Sequence, residues 1–398
     1  MKRGGKLKVI LIRGRAIDPS ANKIAEALAQ NGHEVTLVVW DRQRTLDDAA
    51  GRGYLIRRFT LKAPYDKPIA LLLIPLWWIY QLRFLLGTQC DVIHACDLDT
   101  LIPAMLAKLV KRVNLCYTIY DFYANNLPDG RFQLLRNLVR RIVASVEKFA
   151  IGFTDILFLV DESRVEQVQG ARIRKLVYTY NSPADYFAGG RRLETKPTSA
   201  TSAVTLFYAG AIHESRGIRY VVKAVEGMQD VSLVIAGIGP ERKLVEDACR
   251  RCERIRYLGQ IPYREVIERT AAADILFAFY DTRIPTNRYA SPNKLFEAMM
   301  CAKPIIVSDG STMTRIVRQE NCGLIVPYGE TEAIKAAILE LKNNPELRQR
   351  LGQNGRMAYE KKYSWEIMAG RLTSAYREMA EQRSRTHPKL GANSKGVE

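Results

Sequence analysis

The chain has 398 residues, 47% apolar and 26% charged, the balance of an ordinary globular protein with room for roughly two to three domains. A net charge of +18 favours partners that carry phosphate or carboxylate groups. Zinc-finger spacing, aromatic RNA-binding motifs and basic helices with heptads are all missing, so nucleic acid is not the expected partner. Seven cysteines, odd in number and scattered, fit a reducing compartment better than a disulfide framework. With only four histidines in the chain, the lone Cys249-x-x-Cys252 reads as core packing on one helical face, and no metal is expected.

From the N-terminus, a short basic stretch leads into Val9-Ile10-Leu11-Ile12, closed by Arg13; this is too short for a signal peptide and reads as a strand. Strands are predicted over 8–12, 34–39, 54–57, 92–94, 114–119, 155–160 and 175–180. A helix over 21–30 stops at Asn31-Gly32. The longest uncharged run lies between Lys67 and Arg83. A bilayer span needs ~20 apolar residues, so this run, broken by Pro75, is too short. Two readings stay open: a buried helix, or an interfacial one with Trp77, Trp78 and Tyr80 at headgroup level. Helices follow at 98–112, ending in Lys108, Lys111 and Arg112, and at 132–149, carrying Arg136, Arg140, Arg141 and Lys148. Both are basic and apolar.

This alternation predicts an α/β fold with doubly wound parallel sheets and a first domain over 1–188. The Gly-, Thr- and Ser-rich stretch 189–203 reads as a linker. A second domain is predicted over 204–364, with strands at 204–209, 231–236, 255–258, 275–279, 305–307 and 324–326. Its first helix sets Ile218, Val221, Val222 and Val225 on one face. A final helix over 365–383 is expected to pack back towards the first domain, and 384–398 to be a disordered tail.

Three loops of the second half suit a nucleotide. In the first, Gly210 permits close backbone approach and Arg216 can fork onto phosphate. The second is Gly237-Ile238-Gly239-Pro240. The third begins a helix, with Ser291 as expected N-cap, Pro292 at the first helical position and Lys294 in the first turn. A lysine there opposes the helix dipole by ~0.3–1 kcal/mol, unless an anion binds and reverses the sign. A solvated surface lysine and a phosphate-binding lysine are both open on that evidence alone. Glu297 shares its helix face and could accept both hydroxyls of a ribose. The recurrence of such loops at strand ends in one domain favours a nucleotide diphosphate site.

The ordered series Tyr208-Ala209-Gly210, Arg216-Gly217-Ile218, Ile235-Ala236-Gly237-Ile238-Gly239-Pro240, Tyr257-Leu258-Gly259, Pro292-Asn293-Lys294-Leu295-Phe296-Glu297-Ala298 and Tyr363-Ser364-Trp365 resembles the family 4 retaining glycosyltransferases of GT-B fold. The first half is similar more loosely, through its first strand and loop and Asp91-Val92-Ile93-His94-Ala95. The resemblance implies two Rossmann-like domains facing across a cleft. It implies metal-independent, front-face transfer of a hexosyl group, without cofactor, from a UDP- or GDP-linked sugar to a lipid-linked or cell-surface glycan acceptor. Arg216, Lys294 and Asp121 are the expected catalytic residues. Gly14, Gly210, Gly239, Ile261, Asn293, Lys294 and Glu297 are the expected donor contacts. An anionic membrane surface is an expected partner, with the protein cytoplasmic and peripheral at the inner face of the cell membrane. The pattern departs in three places. Tyr289 stands where the motif has its first glutamate, and Ala211 stands where a basic residue is usual. The usual first-domain histidine has no clear match; Tyr120 and Asp121 occupy that stretch. A non-catalytic nucleotide-sugar scaffold and a sugar-nucleotide 2-epimerase of the same fold are the alternatives, the second opposed by the shortage of histidines.

Overall fold

The structure is a computed structural model, described for residues 5–16, 18–44, 53–64, 72–125, 133–188 and 203–386. Of the expected features, the linker residues 189–202, the start of the uncharged run at 67–71 and the tail from 387 lie outside the described residues. The chain divides into two compact units, Met1–Thr179 with Ala369–Glu398, and Tyr180–Met368.

Unit 1 contains β1 (Lys8–Arg13), α1 (Pro19–Gln30), β2 (Glu34–Trp40), β3 (Leu55–Phe59), α2 (Ile74–Gly87), β4 (Val92–Cys96), α3 (Leu98–Lys111), β5 (Asn114–Ile119), α4 (Gln133–Ile151), β6 (Ile156–Leu159), α5 (Val165–Val168) and β7 (Leu176–Tyr178). Its seven described strands pair in parallel in the order β3-β2-β1-β4-β5-β6-β7. Parallel neighbours require crossovers, and the helices between strands supply them. The chain reverses its direction of travel across the sheet at β1, whose Val9 registers with Val35 on one side and Val92 on the other. Apart from Lys8, every residue of β1 is buried, which is why the strand reads as a continuous apolar run rather than an alternation. At the β1–α1 turn, Asp18 caps α1 by accepting from the N–H groups of Ser20 and Ala21, with Pro19 beginning the helix.

The uncharged run is decided by its aromatics. Trp77 is fully buried and stacks between Trp40, Phe59 and Tyr80. Its Nε1 donates to Asp99 Oδ2 at 3.2 Å, and Trp78 Nε1 donates to the Asp99 carbonyl at 2.9 Å. Both indole N–H groups are thus spent inside the protein, so α2 turns its tryptophans inward rather than holding them at a headgroup level, while Leu76, Ile79 and Leu86 stay exposed. No described helix is long and apolar enough to cross a membrane.

Unit 2 contains β8 (Val204–Ala209), α6 (Ile218–Glu226), β9 (Val231–Ala236), α7 (Arg242–Arg251), β10 (Ile255–Tyr257), α8 (Tyr263–Ala272), β11 (Ile275–Ala278), α9 (Pro285–Arg288), α10 (Asn293–Met300), β12 (Ile305–Ser308), α11 (Thr312–Glu320), β13 (Gly323–Val326), α12 (Thr331–Asn343) and α13 (Pro345–Ala358). Six strands pair in parallel in the order β10-β9-β8-β11-β12-β13, so the direction of travel reverses at β8. The apolar face predicted for α6 is buried: Ile218, Val221, Val222 and Val225 join the core beneath β8 and β9. Cys252 is buried in that core with Cys249 packed at its edge.

The last helix, α14 (Trp365–Thr386), starts in unit 2 and belongs to unit 1 from Ala369 onward. Within unit 1 it supplies Tyr376, whose hydroxyl lies 2.7 Å from His94 Nδ1, and Arg383, which pairs with Asp91 at 2.8 Å. His94 Nε2 lies 2.7 Å from Thr118 Oγ1, and burial depresses the imidazole to about 3, so it is neutral at pH 7.

Candidate active site

In open α/β sheets, loops beyond the carboxyl ends of strands gather at the point where the strand order reverses. In unit 2 that point is the end of β8, and a cavity of about 440 Å³ lies there. Ala209, Gly210 and Ala211 line it from the β8 loop, and Ala236, Gly237 and Ile238 from the β9 loop. Gln260, Ile261, Tyr263 and Val266 come from the loop after β10 and the start of α8. Asn293, Lys294 and Glu297 come from the first turn and a half of α10.

The glycines make this convergence possible. Gly210 has φ +152° and Gly237 φ +133°. A Cβ on Gly237 would collide with the Gly210 carbonyl, and one on Gly210 would stand 2.5 Å from Lys294 Nζ. Only hydrogen at both positions lets the two loops touch and leaves room for the ammonium. Gly239 does not line the cavity; a Cβ there would strike the Ile212 carbonyl, so its role is to let two loop backbones pack.

α10 begins one residue later than its sequence suggests. Pro292 is the N-cap, extended at ψ 143°, and Ser291 lies outside the helix rather than capping it. Proline has no side chain that could accept from the first turn, so the exposed amide donors are left without a side-chain cap. Ser291 Oγ and Asn293 Oδ1 are buried with no hydrogen-bond partner among the described residues. Lys294 is the second residue of the helix, and its Nζ stands 4.8 Å from the centre of the Tyr208 ring. Among the described residues it makes no ion pair within 4.0 Å. Burial works against its charge, but the oxygens of Tyr208, Tyr280 and Glu297 outweigh burial and nearby Arg216, leaving the ammonium above its ordinary pKa. Lys294 is therefore a protonated, partly desolvated cation at the positive end of a helix, facing a cavity. That is a poor place for a cation alone and a good one for a cation and an anion together.

Glu297, one turn on, is buried and faces the same cavity. Tyr263 Oη donates to its Oε1 at 3.1 Å. Burial and the adjacent carboxylate both push the Tyr263 phenol up, which keeps it a donor. Arg216 closes a short turn after the β8 loop. Its guanidinium lies 3.9 Å from the Tyr280 ring centre, and Nη1 donates to Asn287 Oδ1 at 2.7 Å. Asn287 is itself buried and fixed by donating to the Asp281 carbonyl at 3.1 Å. Tyr263, Tyr280 and Asn287 were not singled out from sequence: each acts through a partner 34 to 71 positions away, a separation that carries no local pattern.

The remaining expected residues lie in unit 1. Gly14 follows β1 and is backed by Asp99: a Cβ there would collide with the Asp99 carboxylate. The Asp121 carboxylate lies 3.9 Å from buried Arg164. The N–H groups of Tyr120 and Asp121 donate to Asp97 Oδ1 at 2.8 and 3.1 Å. Asp97 adopts φ +65°, ψ 166°, a strained conformation for a residue with a side chain, and its other carboxylate oxygen takes a hydrogen bond from Arg13 Nη1. Arg13 Nε also donates to Asp18 at 2.5 Å, and its guanidinium covers the Tyr120 ring at 4.6 Å. Asp97 thus fixes the backbone that carries Tyr120 and Asp121, a role that no sequence motif had marked.

Residues 20–183 match the family described as Glycosyltransferase Family 4, and residues 192–358 the family described as Glycosyl transferases group 1. The chain is 25% identical over 317 residues to a phosphatidyl-myo-inositol mannosyltransferase of Mycobacterium leprae, covering 76% of this chain and 77% of that one. It is 26% identical over 199 residues, half of its length and 52% of the other, to a GDP-mannose-dependent monoacylated alpha-(1-6)-phosphatidylinositol monomannoside mannosyltransferase of Corynebacterium glutamicum. Its fold is similar to that of a sucrose-phosphate synthase from Thermosynechococcus elongatus, with TM-score 0.71 at 18% identity over 95% of this chain and 100% of that one. With both of its parallel-sheet units matched, the chain belongs to the family 4 glycosyltransferases of GT-B architecture and is a hexosyltransferase.

Proposed function

We propose that the enzyme transfers a hexosyl group, with retention at the anomeric carbon, from a UDP- or GDP-linked sugar to a lipid-linked acceptor at the inner face of the cell membrane. The observation that carries this reading is Lys294, a protonated ammonium with no ion pair among the described residues, beside uncapped amides at the cavity. A diphosphate supplies the missing negative charge. Glu297, held by Tyr263, is placed one helical turn away to accept the ribose hydroxyls, and Gln260 and Ile261 line the wall where the base would lie.

In the reaction the acceptor hydroxyl attacks from the face that the diphosphate leaves. Lys294, the α10 amides and Arg216 stabilise the charge developing on the leaving group, an electrostatic task typically worth ~10²–10³ in rate per donor. Arg216 needs no reorganisation, because Tyr280 and Asn287 already hold it. These cations make a divalent metal and other cofactors unnecessary on this reading. Unit 1 binds the acceptor, through the segment that carries Tyr120 and Asp121. The named activities of the mycobacterial and corynebacterial relatives, on phosphatidylinositol-based acceptors and with GDP-mannose, favour a lipid acceptor and keep guanosine among the bases.

The test is release of UDP or GDP from a set of nucleotide sugars, with and without phosphatidylinositol lipids, in the presence and absence of a chelator. Acceptor-dependent release that survives chelation, giving a product whose NMR coupling retains the donor anomer, is the expected result. Release that requires a divalent ion, or an inverted product, overturns the mechanism.

A further inference from the structure

Among the described residues of unit 1, α4 carries the longest exposed apolar stripe; α2 exposes a shorter set, Leu76, Ile79 and Leu86. Along α4, Leu134, Leu135, Leu138, Ile142, Val146 and Phe149 are all exposed, Leu134 at 87% and Phe149 at 66%. At ~100° per residue these six fall within about 120° of arc, a single continuous stripe. The opposite side of α4 anchors it: Ala150 and Ile151 are buried in the core, and buried Glu147 accepts a hydrogen bond from Tyr117 Oη at 2.7 Å. The helix is therefore amphipathic twice over, with one face holding the fold and another apolar face turned outward. α3, which packs against α4, also exposes Leu109 and Val110, at 54% and 71%.

Charge identifies the occupant. α4 contains three arginines and one lysine, and its single acidic residue is the buried Glu147. By the same helical spacing, Arg141 and Lys148 run along one border of the stripe. A wide apolar stripe edged by cations matches a surface with an acyl interior and anionic headgroups, and the chain's net charge of +18 has the same sense.

We propose that α4 docks the enzyme on an anionic lipid bilayer. Leu134, Leu138, Ile142 and Phe149 enter the headgroup–acyl boundary, and Arg141 and Lys148 meet lipid phosphates. This deepens, and rests on, the reading that the acceptor is a lipid.

The experiment is co-sedimentation of the full chain with phosphatidylcholine vesicles, with and without phosphatidylglycerol. Its companions are analytical ultracentrifugation without lipid and the thermal shift produced by UDP and GDP. Wild type is expected to bind the phosphatidylglycerol vesicles and to release as salt rises. Leu138→Glu with Ile142→Glu is expected to lower vesicle affinity at least tenfold and to leave the nucleotide shift unchanged, since the cavity is in unit 2. Arg141→Gln with Lys148→Gln keeps the apolar stripe and is expected to cost about fivefold for each charge removed. Wild type that ignores anionic vesicles, or a Leu138→Glu, Ile142→Glu variant that binds them as well as wild type, overturns the proposal. So does a wild-type dimer that this variant turns into a monomer with no vesicle binding by either, which would make the face an interface between copies. Vesicle binding through α4 without any nucleotide shift would sink the transferase reading and leave the docking surface standing. Turnover on a water-soluble acceptor without vesicle binding would do the reverse.

Discussion

Arg13 in unit 1 and Lys294 in unit 2 are alike at first glance. Arg13 ends the interior strand β1, Lys294 lies in the first turn of α10, and both sit against a tyrosine ring, Arg13 at 4.6 Å from Tyr120 and Lys294 at 4.8 Å from Tyr208. Arg13 is neutralised by Asp18 and Asp97 inside the unit. Lys294 has the oxygens of two phenols and a glutamate in its neighbourhood, Arg216 repelling it, and no ion pair within 4.0 Å among the described residues. One framework closes its charge balance within the chain and becomes structure. The other leaves it open, and an open balance at a helix N-terminus is a demand for an anion.

Substitutions can separate the two kinds of cation. Arg13→Ala should strand Asp18 and Asp97 and lower stability by about 3–5 kcal/mol, as removal of one member of a buried pair does, without altering nucleotide affinity per folded molecule. Chemical denaturation and nucleotide titration check this; an unaffected denaturation midpoint would dissolve the contrast. Lys294→Ala should leave the denaturation midpoint nearly unchanged and lower donor turnover by ~10²–10³. Steady-state kinetics with the true donor measure it, and a loss under tenfold would put Lys294 outside the reaction.

Glu147 sharpens the comparison through pH. Burial, first among its causes, raises this carboxyl to about 8, so the folded chain holds a proton that the unfolded chain loses above its ordinary value near 4.5. The native state then binds more protons across that interval, and stability must fall as pH rises from roughly 4.5 to 8. Glu147→Gln should flatten that slope, by a few kcal/mol at most, in denaturation midpoints measured between those pH values. A slope unchanged by the substitution would show that Glu147 is ionised in the fold. The smallest expected effect is Tyr263→Phe. Removing the hydrogen bond to Glu297 should weaken nucleotide binding by about 1 kcal/mol, near fivefold, with the rate of transfer at saturation little changed. A calorimetric titration with UDP or GDP reads it directly, and equal affinities would mean that Tyr263 does not orient Glu297 for the nucleotide.

Much of unit 2 is legible in its sequence. The mostly apolar runs beginning at Val204, Val231 and Ile275 are strands, broken only by Thr205 and Ser232, because parallel strands covered on both faces are rich in apolar residues. The i, i+3 spacing of Lys294 and Glu297 placed them on one face, and both line the same cavity. The α10 cap was misplaced by one residue: Ser291-Pro292 fits the preferred pattern, but Pro292 remains extended and takes the cap position itself. In the uncharged run, composition alone could not decide between a lipid-facing and a buried helix. Asp99, 21 to 22 positions away, draws both tryptophans inward by accepting their indole N–H groups, while Leu76, Ile79 and Leu86 of the same helix stay exposed.

The sequence by itself determined the alternation of strands and helices, the glycines where loops meet, and which residue types could hold a diphosphate. These follow from local periodicity and backbone freedom, which are properties of neighbouring residues. Tertiary structure alone decided which cation is paired and which is open, that Asn287 and Tyr280 hold Arg216, and that α4 turns its apolar stripe outward. Those outcomes depend on partners far apart in the chain, and charge balance and burial are set by what surrounds a side chain in space.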